Sequence, residues 1–557
     1  MFPTSIFARF AILLSLIAAG GCANIPSNSP ADPQAAVSAV IVAEIAASRN
    51  ELVLAARQYG VIAAGSDDIA VLERATRLAA DAQQPTLALR AARRWIRRDR
   101  ASANAQLAAG LAALELHEVA DSAGFFRAAL SLNTGGVDAA FGEFETLFAE
   151  SDNVYGARQV AELLTAPYAA SAGALRFLGI AQANADNAQA AADTFRKYLA
   201  LTPAQDAVWI RARALAATDK GAEALAVANA QVDAHGDESN RLEHASLLIM
   251  LHREGAAQAE LESLLDSEES KPRALRLMGQ LQLQLGNLDA AEICFTQLLK
   301  SGHFVEDTFY FLGRVHERRH QDDDALRSYA RVTAGDNVLS AMLHAAALLR
   351  RSGAAVEADQ LLDGLIADAP TRAPQIISAR AQLYADAHEN LRALQSLDAG
   401  IAEYPDSVDL RYKRAEILEQ TQRFDAALAE LSALERRRPN DPAAMNALGY
   451  TLADHSLQLR RARSLIERAF AQAPQNAAIR DSLGWVLFRQ GLGEQALPHL
   501  TAAFASDRGA ETGAHLGEVL WILNQRAQAR GVWEKARAVD PDDRVLRATL
   551  ARLEGAH

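Results

Sequence analysis

Residues 510–541, AETGAHLGEVLWILNQRAQARGVWEKARAVDP, decide the fold. Small residues recur at spacings that bring two helices close together, with Gly517 in the first half and Ala529 and Ala536 in the second. Trp533 is the large residue that fills the gap between the two helices, and Pro541 ends the second helix because proline cannot continue it. The stretch therefore predicts two antiparallel helices in about 34 residues.

The same pattern repeats upstream. The preceding copy has Gly484, Ala496, Leu500 and Ala503 at equivalent places. The small residue of the first helix then continues through Gly449, Ala415, Ala381, Ala346, Gly313, Gly279, Ala245, Ala212 and Gly179, and less clearly through Glu145, Gly110, Thr76 and Ala43. From Ala43 to Gly517 the chain takes fourteen steps of about 34 residues. An alanine-rich helical protein without repeats would not keep this phase.

The period and the small-residue positions resemble the tetratricopeptide (TPR) repeat. The resemblance implies an all-α TPR superhelix of about 15 helix pairs, with a concave surface made mainly by the first helices. Each pair has an apolar face that it cannot bury alone, so neighbouring pairs share one continuous core. We expect the array to occupy residues 36–541 and a capping helix to lie within 542–557.

Composition agrees with packed helices. Half of the 557 residues are apolar, only 6% are aromatic, and proline and glycine are scarce, at 16 and 32 residues. The net charge of −13 is unfavourable for nucleic-acid binding, which depends on Lys and Arg neutralising phosphates. We therefore expect no nucleic-acid partner.

The N-terminus reads as a secretion signal. Arg9 precedes a short apolar run, Phe10 to Ala19, which suits a signal peptide better than a spanning helix. Ala19-Gly20-Gly21-Cys22 resembles a bacterial lipobox, although leucine is usual where Ala19 stands. The resemblance implies a signal peptide over 1–21, lipidation of Cys22, a tether over 22–35 and the outer membrane as destination. Secretion without lipidation is the alternative.

Two motifs suggest chemistry. His316-Glu317-Arg318-Arg319-His320 matches HExxH, which in zinc peptidases puts two imidazoles on one helix face. In the repeat register, however, His320 falls where the first helix ends, so we expect a structural role and neither a metal nor a cofactor. The basic run from Arg90 to Arg100 suggests either a solvated helix face or a docking patch for an acidic partner or an anionic membrane.

The better functional signal is a set of aromatic side chains where the first helices face the groove. Large rigid aromatics in a groove are the usual anchors for a bound peptide. The candidate partner-binding residues are Tyr450, Asp481, Trp485, Phe488, Glu518 and Trp521. The alternative is that these side chains pack against neighbouring helices.

Several stretches resemble one family of proteobacterial TPR lipoproteins. They are Val42–Trp95, Asn446–Asp454 (NALGYTLAD), Asp481–Gly491 (DSLGWVLFRQG) and Ala514–Trp521 (AHLGEVLW). The resemblance implies a non-catalytic adaptor on the periplasmic face of the outer membrane. Its implied partners are a carboxyl-terminal processing protease and the cell-wall hydrolases that this protease degrades. The alternatives are a lipoprotein that assists assembly of a pilus, secretion or polysaccharide-export machine and, remotely, an HExxH zinc peptidase.

Overall fold

The computed structural model describes residues 33–553 except 219 and 542, with side chains from residue 38 onward. The expected signal peptide, Cys22 and most of the tether lie outside the described residues. Within the described chain every regular element is helical, with 31 α-helices and two short 3₁₀ turns, Ala166–Tyr168 and Pro370–Arg372. None of these helices is both long enough and apolar enough to cross a membrane.

The helices form fifteen successive antiparallel pairs and one final helix. The first eight pairs are α1 (Pro33–Ser48) and α2 (Leu52–Gly65), α3 (Ile69–Asp81) and α4 (Pro85–Arg98), α5 (Ala103–Glu115) and α6 (Val119–Leu132), α7 (Val137–Phe148) and α8 (Val154–Thr165), α9 (Ala172–Asn184) and α10 (Ala188–Leu201), α11 (Gln205–Ala216) and α12 (Gly221–Ala234), α13 (Glu238–Met250) and α14 (Glu254–Leu264), α15 (Lys271–Gln284) and α16 (Leu288–Ser301). The others are α17 (Val305–Arg318) and α18 (Asp322–Tyr329), α19 (Val338–Arg351) and α20 (Ala355–Asp368), α21 (Ala373–Asp386) and α22 (Asn390–Glu403), α23 (Val408–Gln420) and α24 (Phe424–Arg437), α25 (Pro442–Asp454) and α26 (Leu459–Gln472), α27 (Ala477–Arg489) and α28 (Gly493–Ser506), α29 (Ala510–Ile522) and α30 (Arg526–Val539), and then α31 (Arg544–Leu553). The predicted all-α array of about fifteen pairs is confirmed.

The repeated glycines allow the two helices of a pair to touch. A Cβ on Gly484 would lie 2.5 Å from Cγ of Leu500, and a Cβ on Gly279 would lie 2.5 Å from Cε1 of Phe295. Gly110 meets Phe126 in the same way, although its copy is among the less clear ones in sequence. Close contact between a small residue and a large residue sixteen positions later is therefore the physical content of the repeat.

First helices of successive pairs contact each other along much of the array, whereas contacts between second helices are confined to the first four pairs, where α2 contacts α4 and α6 contacts α8. From the fourth pair onward, the first helices therefore line the inner surface and the second helices the outer one. At the C-terminal end α31 packs against α29, with Leu546 and Thr549 buried. The last inner helix is thus covered on the side where a sixteenth pair would stand.

A further set of contacts joins pairs that are far apart in sequence. Arg57 donates hydrogen bonds to the carbonyl oxygens of Ala402 and Glu403, at 3.2 and 3.0 Å. Arg158 donates to the carbonyl oxygen of Gln472 at 3.2 Å. These acceptors are the last carbonyls of α22 and α26, which have no partner within their own helices. Helix ends of later pairs are thus capped by arginines of the first and fourth pairs.

Further contacts of the same kind lie between the Arg57 and Arg158 contacts. Arg438 donates to the carbonyl oxygen of Glu115 at 3.3 Å, and Gln84 donates to the carbonyl oxygen of Glu403 at 2.9 Å. One buried apolar cluster contains residues from both sides, including Ala88 and Ile377. We call these contacts between residues 50–159 and 367–476 the inter-turn seam. Its register shows that between nine and ten helix pairs complete one turn of the superhelix.

Candidate functional site

The candidate residues lie on three neighbouring first helices, α25, α27 and α29, just beyond the inter-turn seam. Asn476 caps α27, since its Oδ1 accepts a hydrogen bond from the backbone N–H of Ile479 at 3.0 Å. The Nδ2 group of Asn476 donates to the hydroxyl of Tyr155, 3.2 Å away in the fourth pair. Helix α27 carries Asp481 and Trp485. Its start is therefore fixed both by the Asn476 cap and by the hydrogen bond from Asn476 to Tyr155.

A buried ion pair forms the centre of the site. Oδ2 of Asp481 lies 2.8 Å from Nδ1 of His515 on the next first helix. The imidazole is 1% exposed and stacks on the ring of Trp485, with centroids 4.1 Å apart and planes at 21°. Asp481, Trp485 and His515 thus make one layer between α27 and α29.

The other side of Trp485 reaches back to α25. Its indole N–H donates to Oδ1 of Asp454 at 3.2 Å, and the guanidinium of Arg489 lies 5.4 Å from the ring centroid. Arg489 also lies 3.5 Å from the Asp454 carboxylate. Trp485 is therefore held at its edge by a hydrogen bond and at its face by a cation, which orders the ring.

Four of the candidate side chains are buried, which corrects the expectation that they stand open in the groove. Trp485 is only 4% exposed and Trp521 only 8%, and Asp481 and Glu518 are buried as well. Glu518 accepts a hydrogen bond from Arg552 of α31 at 2.5 Å. The physical reason is the close packing of successive first helices, together with the cover that α31 provides. Trp521 packs against Trp533, with ring centroids 5.4 Å apart.

Two candidate residues are only partly buried and reach the surface. Tyr450 donates its hydroxyl to Oε1 of Glu511 at 2.5 Å, and Glu511 is exposed. Phe488 lies against Trp485, with centroids 5.4 Å apart, and is half-buried. We call Tyr450, Asp454, Phe488, Arg489 and Glu511 the groove rim. The rim combines two aromatic rings, two carboxylates and one guanidinium above the buried layer.

Burial and charge act in opposite directions on His515. Burial alone would lower the pKa of the imidazole, but the Asp481 carboxylate outweighs it and raises the pKa to about 8. Glu511 and Asp454 add to this effect. At neutral pH the His515 ring is therefore mainly a cation paired with Asp481. Burial and the nearby carboxylates also raise the pKa of the Tyr450 phenol, so this group stays a hydrogen-bond donor.

The Asp481–His515 pair has part of a catalytic triad's geometry but no nucleophile. Nε2 of His515 has no hydrogen-bond partner among the described residues, so no hydroxyl lies where a nucleophilic serine would stand. Oδ1 of Asp481 is also without a partner in this part of the chain. The arrangement orders neighbouring helices and offers no group positioned for covalent chemistry.

The HExxH residues do not come together either. Helix α17 ends at Arg318, and His320 follows in a left-handed turn with φ of 58°. Glu317 accepts a hydrogen bond from the Tyr329 hydroxyl at 2.7 Å and lies 3.0 Å from Nδ1 of His344. Across the described residues, no group of three or more His, Cys, Asp or Glu side chains has an arrangement that could hold a metal ion.

Sequence reasoning missed His515, the residue that links the layer. A histidine in a helix is a common packing residue, and nothing in its own repeat marks it. The available signal is Asp481 about one repeat upstream, because corresponding parts of neighbouring first helices face each other. Asp454 and Arg489 were missed for the same reason, since their roles depend on the adjacent helix.

Comparison with known proteins supports the repeat. A sequence model described as tetratricopeptide repeat matches residues 242–302 and 378–442. A curated protein of Pseudomonas aeruginosa, TPR repeat-containing protein PA4667, is 31% identical over 252 residues. That alignment covers 45% of this chain and 43% of the Pseudomonas protein, so the chain matches less than half of that relative's length.

Two solved structures show local similarity. The thermophilic TPR protein TTC0263 of Thermus thermophilus is 20% identical, with 32% of this chain and 98% of that one covered and a TM-score of 0.29. A tetratricopeptide repeat protein of Parabacteroides merdae is 16% identical, with 50% and 98% covered and a TM-score of 0.30. The helix pairs and the matched stretches identify the chain as a tetratricopeptide-repeat array, a fold class of protein-interaction scaffolds.

Proposed function

We propose that the protein is a non-catalytic adaptor lipoprotein on the periplasmic face of the outer membrane. Its proposed partners are a carboxyl-terminal processing protease and the cell-wall hydrolases that the protease degrades. The groove rim is the structural observation that carries the binding part of this proposal. The identity of the partners rests on the family resemblance of the first and last repeats described above.

The rim has the properties of a peptide-binding surface. Tyr450 and Phe488 present aromatic area, while Asp454, Arg489 and Glu511 offer polar groups for orientation. The rim is supported by the Trp485–His515 stack and the Asp481–His515 pair, so its side chains lose little freedom on binding. A rigid aromatic surface with polar groups around it is the usual arrangement of an interface anchor.

We predict that Phe488→Ala weakens binding of the protease about thirtyfold, the equivalent of about 2 kcal/mol for a truncated aromatic anchor. The melting temperature should fall by only a few degrees, because the ring is half-buried. Affinity capture from envelope extract, quantified by mass spectrometry, identifies whether the protease binds. Titration with the purified protease then gives the affinities of the wild-type protein and of the Phe488→Ala variant.

Phe470→Ala is the matched control. Phe470 is another half-buried aromatic, but it lies on the second helix α26 beside His499, away from the rim. It should leave the affinity for the protease unchanged. The rim assignment fails if both variants lose affinity equally, or if Phe488→Ala melts early and still binds normally. Capture of pilus, secretion or export components in place of the protease would favour an assembly role.

The proposed lipid anchor at Cys22 can be tested separately from the groove rim. Cys22→Ala removes the thiol on which a lipid would be carried, so the protein should leave the outer-membrane fraction for the soluble periplasmic fraction. Membrane fractionation followed by immunoblotting measures this directly, and metabolic labelling with a fatty acid checks the modification itself. Unchanged fractionation together with absent labelling would end the lipoprotein proposal and leave the groove proposal standing.

A further inference from the structure

The second helices of the first three pairs have a charge unlike that of the rest of the chain. Helices α2, α4 and α6 carry seven arginines and a single carboxylate, Asp121, whereas the whole protein has a net charge of −13. The arginines are Arg57, Arg90, Arg93, Arg94, Arg97, Arg98 and Arg127. Arg57 is used in the inter-turn seam, where it caps α22. The other six arginines lie on α4 and α6, which carry none of the groove-rim residues.

Some of these arginines are used within the fold and others are not. Arg93 pairs with Asp121 at 2.7 Å, and Arg94 pairs with Asp67 at 2.9 Å. Arg90 and Arg97 are exposed and make no ion pair with any described residue. Arg127 on α6 is likewise exposed and unpaired within the described chain. The face therefore has at least three cations available to an external anion.

Two of the unpaired arginines, Arg90 and Arg97, border a shallow groove between α2 and α4. Its volume is about 320 Å³, and its floor is made of small residues, Gly60, Ala63, Ala64 and Ala91. Arg90 and Arg97 stand on the α4 side. Val61 and Leu54 lie on one face of α2 and are 48% and 41% exposed. Cations beside exposed aliphatic side chains are the combination expected at a lipid–water interface.

We propose that this basic face, the exposed surface of α2, α4 and α6, docks on anionic phospholipid headgroups. Arginine binds phosphate oxygens through paired N–H groups, and each basic residue near an anionic bilayer adds to the attraction. Val61 and Leu54 would rest at the headgroup level. The array would thus lie with this N-terminal face on the bilayer.

The position of the face favours a membrane over an acidic protein. Ten residues separate Cys22 from Pro33, where α1 begins, and an extended chain spans at most about 3.3–3.6 Å per residue. If Cys22 carries the lipid proposed above, the start of α1 is held within about 40 Å of the bilayer. The charge and exposure of the face do not depend on that anchor, so the binding itself can be tested without it.

The test uses the full chain with Cys22→Ala, so that no lipid contributes to binding. Flotation with phosphatidylcholine vesicles, with and without about 30% phosphatidylglycerol, measures the affinity at low and high salt. We expect binding only to the vesicles that contain phosphatidylglycerol, and release at about 0.5 M salt, where exposed charges are screened. Arg90→Gln with Arg97→Gln should lower the affinity roughly twenty-five-fold, at about fivefold per arginine.

Arg436→Gln with Arg437→Gln is the matched control. These arginines of α24 are also exposed, also on a second helix, and without an ion pair among the described residues. Their substitution changes the net charge by the same amount and should leave binding unchanged. Equal loss in both double variants, or binding that ignores phosphatidylglycerol, overturns the proposal. Affinity for an acidic protein with none for vesicles would also overturn it. Circular dichroism confirms that each variant stays helical.

Discussion

Gly484→Leu should destabilise the fourteenth pair by about 1–3 kcal/mol or more through overpacking. Even a Cβ at Gly484 would lie 2.5 Å from Cγ of Leu500 and 3.2 Å from the carbonyl oxygen of Ala496. Both neighbours are buried, and one is backbone, so neither can move aside cheaply. Hydrogen exchange should show the largest loss of protection in α27 and α28.

The set of helices that lose hydrogen-exchange protection in Gly484→Leu distinguishes the observed fold from an open solenoid. In an open array, lost protection would fall off along the sequence through α26 and α29, because each pair contacts only its neighbours. Here α27 is also tied to Tyr155 through Asn476. Helix α8 should therefore lose protection as well, although it lies more than 300 residues upstream.

Gly531→Leu provides the matched control. Gly531 is on the outer helix α30, and a Cβ there would meet nothing within 4 Å. Replacing a helical glycine in open space removes a helix-weakening residue, so protection in α30 should stay the same or rise. Uniform loss of protection along the whole chain after Gly484→Leu would contradict the proposed packing. An equal loss of protection in Gly484→Leu and Gly531→Leu would contradict it as well.

The sequence was sufficient to predict the helix pairs because their contacts are local and periodic. Gly484 and Leu500 are sixteen residues apart, and the same spacing recurs at Gly279 with Phe295 and at Gly313 with Tyr329. A pattern that repeats many times at one period can be recognised without any other information. The turn after the first helix is equally local, as the left-handed φ of His320 shows.

The inter-turn seam could not be predicted in the same way. Arg57 meets Ala402 and Glu403 only because small rotations between pairs accumulate over more than nine pairs. No motif marks a residue that caps a helix some 340 residues away. The acceptors are backbone carbonyls, which leave no trace in the sequence. Pair geometry follows from local pattern, whereas superhelical closure depends on the sum of many small angles.

The burial of the candidate site residues could not be predicted from the sequence either. Repeat register predicts that Trp485 and Glu518 lie where the first helices face the groove, and in the structure both side chains are buried. Whether that side is open depends on how closely the next first helix approaches and on what α31 covers. The result is a buried layer with a partly exposed rim, so Phe488 and Tyr450 are better binding candidates than Trp485 and Trp521.

The Asp481–His515 pair should contribute strongly to the stability of the last two helix pairs. Asp481→Ala leaves a buried imidazolium without its carboxylate, and breaking a buried pair in this way costs about 3–5 kcal/mol. The cost arises because His515 is 1% exposed and its Nε2 already lacks a partner among the described residues. Asp454 and Glu511 are the remaining nearby carboxylates, and they compensate only in part. We expect early melting of the last two pairs and lost protection in α27 and α29.

The pH dependence identifies the proton responsible. Folding raises the pKa of His515 from its ordinary value of about 6.5 to about 8, so its stabilisation is full below pH 6.5 and is lost as the pH rises through 8. The shift corresponds to about 2 kcal/mol, so Asp481→Ala should lose about that much more stability at pH 6 than at pH 9. Denaturation monitored at the last two pairs measures this difference. In the double variant Asp481→Ala with His515→Gln the pH dependence should disappear, since no cation is left to pair. A deficit that is the same at pH 6 and pH 9 would show that His515 is neutral in the fold and that the pair is an ordinary hydrogen bond.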